Sequence, residues 1–179
     1  PAGLMAAEVL SASGTLHVDV YDAMPSVGRK FLMAGKGGMN ITHSEPLAEF
    51  VARYGEQAGQ VAAWLAAFSP MAVREWIHGL GIDTFIGTSG RVFPTDMKAA
   101  PLLRAWLHRL RGQGVHFHVR HRWLGWSGAA LRFVTPAGER LGALDEKFHA
   151  AIAEASHNPL LIHLNAIVTA AFKEFRATS

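Results

Sequence analysis

The chain has 179 residues, 50% of them hydrophobic and 17% charged, enough for one sizeable core or two small ones, which excludes a disordered tail. Arg, Lys, Glu, His or Gly breaks every apolar run before the roughly 18 residues of a membrane-spanning helix, so no membrane role is expected. Zero cysteines exclude a disulfide scaffold, a thiolate zinc site and a Cys nucleophile and make the cytoplasm the default location, while a formal charge of only +3 argues against a nucleic-acid partner despite a pI near 9.6.

The N-terminus has no signal-peptide pattern, and a start at Pro1 in place of Met suggests a processed, trimmed or fragmentary chain. Pro1 to Ser13 is rich in Ala and Leu with Gly14 behind it, which predicts a helix closed by a C-terminal glycine. In Thr15 to Tyr21, Leu16, Val18 and Val20 alternate with His17 and Asp19, the period of a strand, and Asp22 stands at its end. Between Pro25 and His43 the glycines at 28, 35, 37 and 38 lie among Arg29, Lys30 and Lys36, and the segment reads as a long, basic, functional loop. From Pro46 to Phe68 apolar residues recur at helical spacing, with Gly55 and Gly59 as candidate interruptions.

Ser69 and Pro70 fit the cap and first turn of a helix to His78. Two short strands, Ile82 to Ile86 and Arg91 to Phe93, flank a Gly87 to Gly90 turn. Thr95 or Asp96 caps a third helix through Arg111, whose apolar stripe holds Leu103, Trp106, Leu107 and Leu110; with Trp106 in that stripe, Arg104, Arg109 and Arg111 read as a solvated face and not as a nucleic-acid surface. Strands return at Val115 to Arg120, His121 to Trp126 and Leu131 to Thr135. From Ala143 the pattern is wholly helical, and SHNP at 156–159 separates two amphipathic helices. The expected organisation is a nucleotide-binding segment over residues 1–45, a mixed helical and β portion over 46–140 and a helical appendage over 141–179.

A Rossmann site holds a dinucleotide by turning backbone N–H groups of a Gly-rich turn and a helix N-terminus onto the pyrophosphate, with an acidic residue about 20 positions on for the ribose. Here Gly3 opens a helix and Asp22 follows 19 positions later at a strand end, although only the last Gly of a G-x-G-x-x-G pattern is present. The run VGRKFLMAGKGGMNITHSEP at 27–46, preceded by VDVYDAMPS and followed by GRVFPTDMKAAPLLRAWL at 90–107, resembles the aminoacetone-oxidase-type, or BaiN-like, NAD(P)/FAD-dependent flavoproteins over about residues 1–140. The resemblance implies FAD as cofactor. It also implies that Pro1, Ala2 and Gly3 are the remainder of the pyrophosphate turn, that Asp22 stands where the family usually has a Glu for the ribose, and that Arg29 and Lys30 lie beside the FAD. The loop from Gly35 to His43 would run near the flavin, with Gly37 and Gly38 allowing close backbone approach and Asn40 bonding a polar edge; Gly38 and Met39 replace the Arg-Cys of many members. The family's first strand and C-terminal half are not in this sequence.

The stretch LDEKFHAAIAEASHNPLL resembles a different family, the FCD effector-binding domain of GntR-type transcription regulators, over 144–179. There the matching Asp and His help hold a divalent metal, which makes Asp145 and His149 candidate ligands on one helix face; an intrahelical contact between them is the plainer alternative. His116 and His118 share a strand face, but the sequence places no third ligand, and with His121 they read as exposed strand histidines. Ser11, Ser13, Ser26 and Ser44 lack a nucleophile-elbow context.

The expected fold is therefore α/β: a partial Rossmann-like FAD-binding domain, a mixed α+β middle portion and a two-helix C-terminal appendage. The leading function is an FAD-dependent flavoprotein oxidoreductase, as an incomplete or chimeric chain, acting on a small molecule such as an amine or another reduced metabolite. The alternative is a ligand-binding or dimerisation module derived from a GntR-type regulator, with a homodimer formed through the C-terminal helices.

Overall fold

The computed structural model describes residues 1–127 and 130–143; positions 144–179 of the expected helical appendage lie outside them, and its first three, 141–143, are not helical but end a strand paired along its neighbour. Over the described residues the protein is a mixed α/β structure of two compact units, the first made of Pro1–Val27 with the described residues from Leu110 onward, the second of Gly28–Arg109. No described helix is long and apolar enough to cross a membrane.

In the first unit, helix α1 (Ala2–Ser11) buries Leu4, Ala7 and Leu10, a spacing of three that keeps one apolar stripe inward. It is followed by a left-handed Gly14, as expected from the sequence. Strand β1 (Asp19–Asp22) pairs in parallel with β5 (His116–Val119), in register from Asp19↔His116 to Asp22↔Val119. The strand is shorter at its start than the alternation suggested, because Thr15 and Leu16 lie in a bend and inter-strand bonding begins where the His116 N–H donates to the Val18 carbonyl, 2.9 Å. The remaining strands, β6 (Arg122–Ser127), β7 (Ala130–Thr135) and β8 (Gly138–Ala143), form an antiparallel meander. The sequence reading missed β8, whose polar and Gly-containing GERLGA lacks an alternating apolar pattern but is held by the β7 ladder.

The second unit opens with a departure from expectation. Within the Gly-rich segment, Arg29–Ala34 forms a short helix, α2, and Thr42–His43 a strand, β2. All four glycines lie outside RKFLMA, which consists of good helix formers, and left-handed Gly28 turns the chain into it so that Phe31 is buried. The apolar run from Pro46 to Phe68 is divided into α3 (Leu47–Ala52), a 3-10 turn (Gly55–Gln57) and α4 (Ala58–Ala67). Gly55, with φ +53°, makes the break, whereas Gly59 is accommodated inside α4. Helix α5 (Pro70–His78) starts as read: Ser69 Oγ accepts the Ala72 N–H at 3.1 Å and Pro70 occupies the first turn.

Strands β3 (Thr84–Ile86) and β4 (Arg91–Pro94) form the expected hairpin, and β2 pairs along the other side of β4. Helix α6 (Ala99–Gly112) begins later than the sequence suggested. Asp96 instead accepts the Lys98 N–H in a local turn, and Met97 has a left-handed φ of +57°. Leu102, Leu103 and Trp106 of α6 are buried in this unit, and Trp106 meets Phe31 and Trp76 edge to face, with ring centroids 6.1 and 4.8 Å away. Trp106 thus lies in the buried stripe, as the periodicity implied, and Arg104 and Arg111 are exposed, whereas Arg109 is half-buried and not part of a fully solvated face.

Trp106→Ala removes the largest fully buried side chain among the described residues and should cost about 3–5 kcal/mol. Trp64, 65% exposed on α4, should change stability by less than about 0.5 kcal/mol on the same substitution. Urea unfolding of both variants checks this, and equal losses would contradict the assignment of the core.

Candidate functional site

Helix α1 presents its first N–H groups without a side-chain cap and without an acidic residue in its first turn. A Cβ built on Gly3 meets nothing within 4 Å, so the space over that turn is open to a ligand backbone or phosphate. Both features favour an anion through hydrogen bonding and the helix dipole. Asp22 lies at the C-terminal end of β1, the end at which parallel α/β sheets bind ligands. Its Oδ1 accepts the Met24 N–H at 2.8 Å, and its carbonyl accepts the His121 N–H at 3.0 Å, which together fix the carboxylate's position. Pro1, Ala2, Gly3 and Asp22 therefore belong to the first unit.

Arg29, Lys30, Gly37, Gly38 and Asn40 belong to the second. Arg29 and Lys30 open α2 with exposed side chains, and Asn40 is exposed. Gly38 has φ +107° and a Cβ there would come within 2.8 Å of Met97 Cε, so the fold itself demands glycine; around Gly37, by contrast, the Cβ position is open. Next to it, the buried Met39 donates its N–H to the Met97 carbonyl at 3.0 Å, which anchors the loop from below. Asp145 and His149 lie outside the described residues.

A second cluster occupies the polar face of the β1–β5 ribbon in the first unit. The Asp19 carboxylate stands 2.9 Å from His17 Nε2 through Oδ2 and 2.6 Å from His118 Nε2 through Oδ1. The His17 and His116 rings are 4.8 Å apart, and Tyr21 stacks between His118 at 4.6 Å and Phe133 at 4.3 Å. The sequence reading placed no third group beside His116 and His118. Parallel register supplies it, because the face of His17, Asp19 and Tyr21 is the same face as that of His116 and His118. His121 is not simply exposed either: its Nδ1 lies 2.7 Å from the Val119 carbonyl.

The family model for the HI0933-like protein Rossmann domain matches residues 1–143. The chain belongs to the HI0933-like Rossmann family. This is a family of FAD-binding flavoproteins. No protein with a curated description matches the chain. The HI0933-like match covers all the described residues, including the open first turn of α1 and the Asp22 strand end.

Partial burial of the Tyr21 ring, and then the neighbouring Asp19 carboxylate, raise its hydroxyl above the usual tyrosine range. A raised native value means that the protonated phenol is favoured on folding; this stabilisation is full below the unfolded tyrosine value of about 10 and is lost as pH rises through the native one. Tyr54→Phe leaves Tyr21 as the only tyrosine of the two. Its ultraviolet phenolate titration should then have a higher midpoint folded than in urea, and Asp19→Asn should recover part of the difference. Coincident midpoints would contradict the environment described.

Proposed function

We propose that the chain is an FAD-binding element of a flavoprotein oxidoreductase of the aminoacetone-oxidase type, with a small amine or another reduced metabolite as electron donor. The observation that carries this reading is the uncapped, acid-free N-terminal turn of α1 followed by Asp22 at the C-terminal end of a parallel strand, in a chain of an FAD-binding family. Bound FAD would supply hydride or electron transfer.

The protein's own contribution is binding and charge compensation. The first N–H groups of α1 donate to pyrophosphate oxygens, and Gly3 leaves room for them. Asp22 accepts from ribose hydroxyls, for which an ionised carboxylate is suited as an acceptor-only group. In the second unit Arg29 and Lys30 carry two positive charges, which suit an anionic cofactor, and no carboxylate among the described residues forms an ion pair with either. Asn40, exposed and carrying both donor and acceptor, suits a polar edge of the flavin or its substrate.

Titration of the chain into FAD should change flavin fluorescence in a saturable manner. Replacing Arg29 and Lys30 together by Ala should weaken binding by about 1–3 kcal/mol, which is roughly 5- to 150-fold in affinity. Asp22→Ala should weaken FAD but leave binding of riboflavin, which has neither phosphates nor the adenosine ribose, little affected. An unchanged flavin signal at high protein concentration would overturn the proposal.

A further inference from the structure

We infer that His17, Asp19 and His116 form a binding site for a divalent transition ion of the zinc class, with His118 as the positioning residue for the carboxylate. One ligand atom from each of the three lies within 4.8 Å of the others. Two imidazole nitrogens and a carboxylate oxygen form a borderline donor set, which suits zinc, nickel, cobalt or copper and not calcium or magnesium, whose sites are built of oxygen.

The backbone explains why these three meet. His17 lies two residues ahead of Asp19, just before β1, and its Nε2 reaches Asp19 Oδ2, while the parallel register sets His116 directly beside Asp19. Zinc at about 2.0–2.2 Å from each ligand separates tetrahedral ligand atoms by about 3.4 Å. His17 Nε2 and Asp19 Oδ2 are already closer than that, at 2.9 Å, in the position where an ion would replace a shared proton. His17 and His116 are both exposed and their rings stand 4.8 Å apart, so drawing the third ligand onto an ion involves surface side chains and not the core.

The two oxygens of Asp19 have separate tasks. Oδ2 faces His17, while Oδ1 lies 2.6 Å from His118 Nε2, and His118 is in turn stacked on Tyr21. A ligand held by a second hydrogen bond has its orientation fixed before the ion arrives, the usual arrangement around metal-binding side chains. Three protein ligands leave a further coordination position to water, so the ion is held openly and not in a closed structural site. This inference does not depend on FAD binding, because the cluster includes none of the residues assigned to the cofactor.

The test uses the full chain without an affinity tag, stripped with EDTA, and zinc chloride alone as the probe in isothermal titration. One equivalent should bind with a dissociation constant in the micromolar range. His17→Ala and His116→Ala should each abolish that binding, His118→Ala should weaken it about 10- to 100-fold, and His149→Ala should leave it intact. Far-UV circular dichroism establishes that the variants fold. As an independent readout on the unaltered chain, zinc should protect His17 and His116 from diethylpyrocarbonate in peptide mapping while His78 and His108 go on reacting. Absence of binding up to millimolar zinc, binding that survives both His17→Ala and His116→Ala, or binding lost instead in His149→Ala would each overturn the assignment.

Discussion

Strands β1 and β5 are far apart in sequence, with Asp19 and His118 separated by 99 positions, yet their parallel ladder brings the imidazoles beside Asp19 and sets the strand end that carries Asp22. Parallel strands cannot be joined by a tight turn, so the connection must be long, and here it contains the whole second unit, Gly28–Arg109. Backbone bonds continue past the ladder, from the Arg120 N–H to the Met24 carbonyl and from the His121 N–H to the Asp22 carbonyl, each at 3.0 Å. At the opposite side of the unit, the buried Ser11 hydroxyl donates to Gln113 Oε1 at 3.0 Å, across 102 positions. These ties close a large loop, whose entropic cost must be met by the apolar surface of Leu4, Ala7, Leu10, Val18 and Val115.

The same ladder gives the two faces of β1 different work. Val18 is buried on one face, while His17, Asp19 and Tyr21 project from the other. Asp22 belongs to neither pattern, because it lies where the strand ends and its carboxylate accepts the Met24 N–H. Two carboxylates three residues apart thus serve separate surroundings, one within an imidazole cluster and one at the C-terminal end of the strand. A single-residue shift in register would exchange the faces and dissolve the cluster, whereas the conformation of α1 would not depend on it.

What was legible in the sequence was mostly local. The Ser69–Pro70 cap, the hairpin around Gly87–Gly90 and the buried stripe of α6 each depend on neighbours within a few residues, and each was found. The Asp19–His118 pair was not, because no sequence spacing encodes which strands become partners or in what register. Helix α2 was obscured for another reason. Glycine density at 28, 35, 37 and 38 dominated the reading, although six residues without glycine are enough for a short helix when Phe31 has an aromatic neighbour, Trp106, to bury against. Apolar periodicity also overstated burial between 46 and 68, where Leu47, Tyr54 and Trp64 remain exposed and only Val61 is buried. A helical period states which residues share a face and leaves open whether anything covers it.

The Gly-rich segment shows why residue type alone is a weak guide to a binding site. Gly28, at φ +78°, would place a Cβ 2.7 Å from a Leu103 methyl carbon, and Gly35 would place one 2.6 Å from the Ala99 Cβ. Gly38 is needed for its backbone angle, φ +107°, while the nearby Met97 methyl ends a flexible side chain that could move aside. Three of the four glycines are therefore accounted for by the backbone angles of this segment and its packing against α6 and the turn before it, without any ligand. Gly37 is different: its φ is not left-handed and its Cβ position is empty. Gly37 is the glycine of this segment whose missing side chain the protein's own packing does not require, and in the first unit Gly3 has the same property.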